Sequence, residues 1–495
     1  MKKIAFSLLI FIGLQAQAQV ISDALRWSTI TSYSTGRSTA LVGTMSNLGG
    51  DQFAIFSNPA GLATFRKSQI TISPGYINKY TESNFASNKE INSNYRFSMA
   101  NLGLVSAREQ NASKWKTINF SVTYNKLADY NQSYSYSGES KGSITDRWKE
   151  NAQGLDTMEF NAFEEGLAAD AGVLFIIDKN DKSYGTDYDT EPNKSEKLFK
   201  SQSINSQGYM GEITLAFAGN LEEKVQIGGS VGIRLLDYSV NKDYVEDASF
   251  NSKIINFKRL NFTEYVFTSG AGFNFNLGII YKPNNSLRIS GAFHSPTFWN
   301  LTDNYYNDLS YSYADDDNNV FKSAVESPEG IFKYGLKDPM RMNGGIGYIL
   351  GRRGFISGEV EWTDYRTSTF NLLKNSQNSE DRKTQNVLNN AIRDAYSTSL
   401  SYKLGAEMAM GSFRVRGGYV LRQRPYANDD AFDYAFAGGL GLNSERIFFD
   451  IGFLRFKESS GYVPYLVGNP DIHPIQLIKN KIWTTQLNFT LGFRI

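Results

Sequence analysis

The chain has 495 residues, with 51 basic and 50 acidic side chains, 29 Tyr, 34 Phe, 43 Gly, 11 Pro and no cysteine. A formal net charge of +1 gives no basic field for a nucleic-acid partner. The lack of cysteine excludes disulfides, a thiol nucleophile and thiolate zinc sites, and a mean hydropathy of -0.38 excludes a polytopic helical membrane protein.

The chain opens with Lys2 and Lys3, an apolar run from Ile4 to Leu14, and Ala16-Gln17-Ala18. A basic start, a short apolar stretch and a small-x-small site make a secretory signal peptide over residues 1–18, with the mature chain expected near Gln19. The run falls short of the roughly 20 residues that a membrane-spanning helix needs. Residues 19–67 follow, rich in small residues and turn formers: Gly36, Ser38, Ala40, Gly43, Gly49-Gly50, Asn58-Pro59 and Gly61. This stretch is too long for an idle tail and too irregular for a strand pair. A plug inside a barrel fits both features; a periplasmic extension is the alternative.

Period-two alternation then dominates from 68 to 495. Val225, Ile227, Gly229, Val231 and Ile233 interleave with Gln226, Gly228, Ser230, Gly232 and Arg234. Leu287 to His294, Ile356 to Trp362, Phe413 to Arg422 and Trp483 to Ile495 repeat the pattern. Such alternation puts one set of side chains on each face of a strand, and in a membrane barrel the apolar set faces lipid. Strands are expected at 68–80, 93–106, 116–130, 208–219, 223–241, 262–282, 285–300, 338–350, 353–369, 397–410, 412–423, 432–443, 445–457 and 482–495. That is about fourteen, an even count that brings both barrel ends to the same side of the membrane.

The connections alternate as well. Asn220-Leu221-Glu222, Pro283-Asn284, Gly351-Arg352, Gly411 and Ser444 are short turns, whereas 131–207, 242–261, 301–337, 370–396 and 458–481 are long and polar. Short periplasmic turns alternating with long extracellular loops fit an all-β, transmembrane antiparallel barrel, and a soluble sandwich has no reason to keep that parity. Helical spacing predicts a helix over 381–396 and a second over 157–169 within these loops.

Few residues suggest chemistry. The histidines are His294 and His473 only, no enzyme site emerges, and neither a cofactor nor a metal is expected. The run Asp315-Asp316-Asp317 has the oxygens calcium prefers, but reads better as a solvated turn. Arg414, Arg416 and Arg422, with Glu359 and Glu361 nearby, suggest a charged ladder in the lumen. Structural pairing is one role for it; capture of a carboxylate headgroup is the other.

Three segments carry a resemblance: Gly36-Arg37-Ser38-Thr39-Ala40-Leu41-Val42-Gly43, Leu48-Gly49-Gly50-Asp51, and Ser57-Asn58-Pro59-Ala60-Gly61-Leu62-Ala63. Together, just ahead of the first strand, they resemble the N-terminal hatch of the FadL/TodX outer-membrane transporters of fatty acids and hydrocarbons. The resemblance is carried by residues 36–70 and beyond them by architecture. It implies a fourteen-stranded barrel with the hatch inside, and passive passage of hydrophobic small molecules from an outer-loop site to an internal pocket. It further implies exit sideways into the membrane beside a kinked third strand. Carried over, Asn58, Pro59 and Ala60 would abut the strand near 116–130. Pro59 lacks an N–H, so the hatch cannot add itself to the sheet there. The implied partners are outer-membrane lipid and a hydrophobic ligand. A second expectation is a non-transporting barrel serving as accessory subunit of a secretion or assembly complex.

Overall fold

The structure is a computed structural model that describes residues 16–110, 113–190, 192–315, 317–372, 379–468 and 475–495. The run 4–14, His473 and Asp316 lie outside the described residues.

From Gln69 onward the chain forms a closed antiparallel barrel of 14 strands. They are Gln69–Phe85, Asn88–Glu109, Trp115–Asp129 (continued by Gln132–Ser140), Leu198–Leu221, Val225–Asp247, Phe257–Tyr281 and Leu287–His294 (continued by Phe298–Ala314). The second half comprises Gly330–Lys337 (continued by Arg341–Ile349), Gly354–Asp364, Thr398–Met410, Phe413–Gln423, Phe432–Asn443, Ile447–Tyr462 and Ile478–Arg494. The last strand pairs with the first from Gln69↔Arg494 to Asn84↔Lys479, so the sheet has no free edge there.

Alternation sets which face is which. Leu277, Ile346, Leu404, Phe413 and Leu440, on five different strands, all point outward and are more than half exposed. So large an apolar belt is untenable in water and is what a bilayer covers. Inward positions are polar and buried, as with Thr117, Asn119, Thr214, Asn274, Asn488 and Thr490. The expected parity of connections is present: 411–412 and 444–446 are tight turns, while 141–197 and 365–397 are long loops at the other end. Gly411 takes the left-handed conformation its two-residue turn requires, φ +62.

The structure corrects the sequence reading above the apolar belt. Parts of the expected loops 131–207, 242–261 and 301–337 are strand, since the fourth to eighth strands run well past it. The expected helix at 157–169 is instead a 3₁₀ turn, Thr157–Glu159, and a short helix, Glu165–Asp170. Asn161 separates them: its side chain accepts from the Phe163 N–H and its carbonyl from the Gly166 N–H (2.9 Å). The helix expected at 381–396 is present as Ser379–Ala395.

The N-terminal segment lies inside the barrel, with residues 32–49 almost entirely buried. It comprises the helix Ala16–Ser28, short helices Gly36–Ala40 and Gln52–Ser57, and the 3₁₀ turn Pro59–Thr64. Thr35 caps the second of these in a capping box with Ser38, and Asp51 caps the third. Close approach explains several wall glycines. A Cβ at Gly452 would lie 2.0 Å from the Gly36 carbonyl oxygen, and one at Gly228 2.5 Å from Pro59.

Candidate functional site

The hatch ties itself to inward-facing polar side chains all around the wall. Thr490 Oγ1 accepts from the Gly36 N–H (2.8 Å), and Asn119 donates to the carbonyls of Leu62 and Phe65, both at 2.9 Å. Asn58 donates to Ser46 O (2.8 Å) and Ile279 O (3.2 Å), while its own oxygen receives the Ala60 N–H (3.0 Å). His294 and Asn343 both reach the Ser57 carbonyl, at 3.1 and 3.0 Å.

The expected position of Asn58, Pro59 and Ala60 is therefore corrected. They pack on the fifth and sixth strands, at Gly228 and Gly278. The lower part of the third strand instead meets Leu62–Phe65 of the hatch, through Asn119 and Thr117. Gly228 and Gly278, lacking side chains, leave the space into which Asn58 and Pro59 press.

The expected charge ladder resolves into two networks. Arg416 binds Glu407 (2.6 Å) and Asp450 (2.5 Å), and Arg414 and Arg37 also approach Glu407, at 3.8 and 3.5 Å. Glu359 and Glu361 bind Lys403 instead, at 3.0 and 3.1 Å, and Glu359 also accepts the Ser46 N–H (3.1 Å). Arg422 donates to the hatch carbonyl of Ile30 (3.2 Å). Each of these charges has a wall or hatch partner.

The third strand holds the feature of greatest consequence. Its ladder with the second strand runs from Glu109↔Thr117 to Asn101↔Asn125 and ends there, although the second strand continues to Asn88. On its other side it stays paired with the fourth strand, with a register shift between Lys126 and Ala128, then from Gln132↔Ser206 onward. Residues 126–131 are all buried, which breaks the alternation, and Asp129 turns the chain by accepting the Asn131 N–H (3.0 Å). Gly208, opposite the kink with φ +120, accepts the Tyr130 N–H (3.0 Å). Beyond Asn101, therefore, side chains rather than a ladder close the wall. Lys126 donates to Ser98 (2.8 Å), Arg96 to Asn131 (2.6 Å), and the Ser135 N–H to Asn92 (2.9 Å). Lys126 is also ion-paired with Asp129, both nearly fully buried.

A cavity of about 700 Å³ lies against this kink. Hatch residues Ile21, Arg26, Thr29 and Thr31 form its floor, and Tyr130, Tyr134, Tyr238, Ile204, Val240 and Tyr462 its walls. Arg147, on the loop helix Ile144–Ala152, caps it. Arg147 is paired with Glu164, which also accepts from the Trp148 indole (2.7 Å). Burial pushes the Glu164 carboxyl up, against the pull of Arg147. The cavity's other charges are engaged as well: Arg26 with Asp23, Lys79 on the Asp129 carbonyl (2.5 Å), and Lys242 with Glu264 (3.5 Å). Its size is that of a pocket for one small ligand, and its aromatic lining suits an apolar one.

Sequence reading did not single out Arg96, Lys126, Asp129 or Asn131. The available signal was Lys126, whose strand parity is the lipid-facing one, and then Asp129, Asn131 and Gln132, polar at both parities.

No family model and no curated protein matches the sequence. Solved structures do. A Pseudomonas aeruginosa FadL homologue is similar over 94% of this chain and 99% of its own, at 10% identity and a TM-score of 0.53. The Pseudomonas putida toluene transporter TodX covers the same shares, at 10% identity and a TM-score of 0.50. With its hatch inside a fourteen-stranded barrel, this chain has the FadL/TodX fold.

Proposed function

We propose that this protein lies in the outer membrane after removal of its signal peptide and passively takes up hydrophobic small molecules, long-chain fatty acids or similar. The ligand leaves sideways into the membrane between the second and third strands. One observation carries the reading: the large lumen cavity abuts a stretch of wall that side chains close without a ladder. Fewer bonds hold this stretch than a ladder of the same length would supply, each contributing about 0.5–1.5 kcal/mol net, or about 1.5–3 where a charge takes part. Lateral release suits an apolar solute, which retains about 0.8 kcal/mol per CH₂ in lipid that it would lose in water. The solved structures of similar fold include a toluene transporter, which supports this class of cargo. The hatch blocks the straight path, so a hydrophilic porin is disfavoured.

The test fills the cavity. Ser206→Trp projects a large ring into it, and uptake of radiolabelled oleate and toluene is followed in cells carrying the barrel in a lipopolysaccharide-bearing membrane. The expected result is at least a tenfold loss for one of the two solutes. Uptake by the wild-type barrel no faster than by cells without it would overturn the reading.

A second reading, accessory subunit of an envelope complex, draws on Phe175, Ile176 and Ile177, which are exposed in succession on a loop hairpin. Native mass spectrometry of barrel purified from outer membranes separates the two by reporting bound lipid or bound partner chains.

A further inference from the structure

The kink leaves the Leu127 carbonyl outside both ladders, and the hatch takes it over: the N–H groups of Thr31 and Ser32 both donate to it at 3.0 Å. A few residues upstream, the helix Ala16–Ser28 is fixed to the same strand. Trp27, fully buried, meets Tyr130 edge-on at 5.3 Å and Tyr238 at 5.1 Å, and the Tyr130 hydroxyl reaches Arg26 O (3.4 Å). A loop holds that helix as well. Leu388 and Ile392 of the loop helix Ser379–Ala395, with Tyr396 just after it, are buried in one cluster with Ala24 and Trp27. Tyr396 also donates its hydroxyl to the Ile21 carbonyl (3.0 Å).

We infer that the loop helix Ser379–Ala395 is a strut: it holds the hatch helix Ala16–Ser28 in place and so keeps Thr31 and Ser32 on the Leu127 carbonyl at the kink. The loop helix packs on its own loop, where Asn389 donates to the Phe370 carbonyl (3.1 Å), and also on the hatch helix, which continues directly into the segment gripping the kink. Undocking the strut removes buried apolar contact and one hydrogen bond from the hatch helix while leaving every barrel ladder intact. The state of the loop end is thereby read out at the wall between the second and third strands. Ile392 and Tyr396 are positioning residues, acting on the kink through residues 21–32. The inference builds on the lateral-exit reading but is tested without transport, so either can fail alone.

The experiment is hydrogen–deuterium exchange on the full mature chain in lipid nanodiscs, comparing wild type, Ile392→Asn and Tyr396→Phe. The amides of Thr31 and Ser32 are the reporters. The ladder between Val225–Asp247 and Phe257–Tyr281 is the fold control. Ile392→Asn should raise exchange at the reporters at least tenfold, and Tyr396→Phe about threefold, with the control unchanged. Wild-type protection at Thr31 and Ser32 while the loop helix itself exchanges freely would overturn the inference. If Ile392→Asn also loosens the control ladder, Tyr396→Phe decides: reporters unchanged in a fully folded barrel would overturn it equally.

Discussion

The closing seam and the seam between the second and third strands are both interrupted, and only the first heals. In the closing seam, Pro74 removes a donor and the ladder skips Ser73 and Pro74, yet pairing resumes in the same register at Gly75↔Asn488 and runs on to Asn84↔Lys479. Ser73 and Thr490 bridge the defect through their hydroxyls (2.7 Å), and the hatch helix Gly36–Ala40 backs it tightly. In the seam between the second and third strands, pairing stops at Asn101↔Asn125 and never resumes. A missing donor is thus a local fault that neighbouring residues repair. A strand turned inward, with its carbonyl captured by the hatch, takes its whole upper half out of register with its neighbour.

The contrast predicts a graded response to mutation. The largest effect should come from Lys126→Ala, which leaves the buried Asp129 carboxylate without its ammonium partner and should cost about 3–5 kcal/mol at the kink. Exchange of amides in 126–131 should then rise by about a hundredfold or more, with the closing seam unaffected. Next is Gly452→Val, whose side chain would collide with the Gly36 carbonyl behind the sound seam. Overpacking there should cost about 1–3 kcal/mol, seen as a lower urea midpoint for the folded barrel. Asn119→Ala should fall slightly below it, about 1–2 kcal/mol in the same titration, because it strips one donor from each of the Leu62 and Phe65 carbonyls. The smallest change is Pro74→Ala, below about 1 kcal/mol and without effect on uptake, because the seam already closes around the proline.

How much of this was legible in the sequence follows from what each part must satisfy. Val225 to Ile233 alternates cleanly because lipid lies on one side and a polar lumen on the other. Tyr305 to Ser312 continues the seventh strand above the belt, where no lipid enforces an apolar face, so the same geometry looks like loop. The hatch was legible because close packing demands small residues at fixed places, as at Gly36 and Ala40. Its placement was not: Asn58 meets the Ile279 carbonyl of the sixth strand, and a carbonyl leaves no mark on residue identity. The grip on Leu127 was invisible for the same reason, being made by backbone N–H groups that any residue but proline supplies. The split of the arginines and glutamates depended on Lys403 and Glu407, whose register only the folded sheet reveals.

The most direct measurement bridges each seam in turn in this cysteine-free chain. Ser98→Cys with Asn131→Cys, joined by a short bis-methanethiosulfonate that forms a disulfide to each thiol and releases methanesulfinate, staples the second strand to the third; Thr81→Cys with Ile482→Cys, which face each other across the closing seam, is the control. The account predicts that stapling the first pair abolishes uptake of the transported hydrophobe, that reduction restores it, and that the control staple changes nothing. Undiminished uptake through a fully stapled second-to-third seam would contradict it.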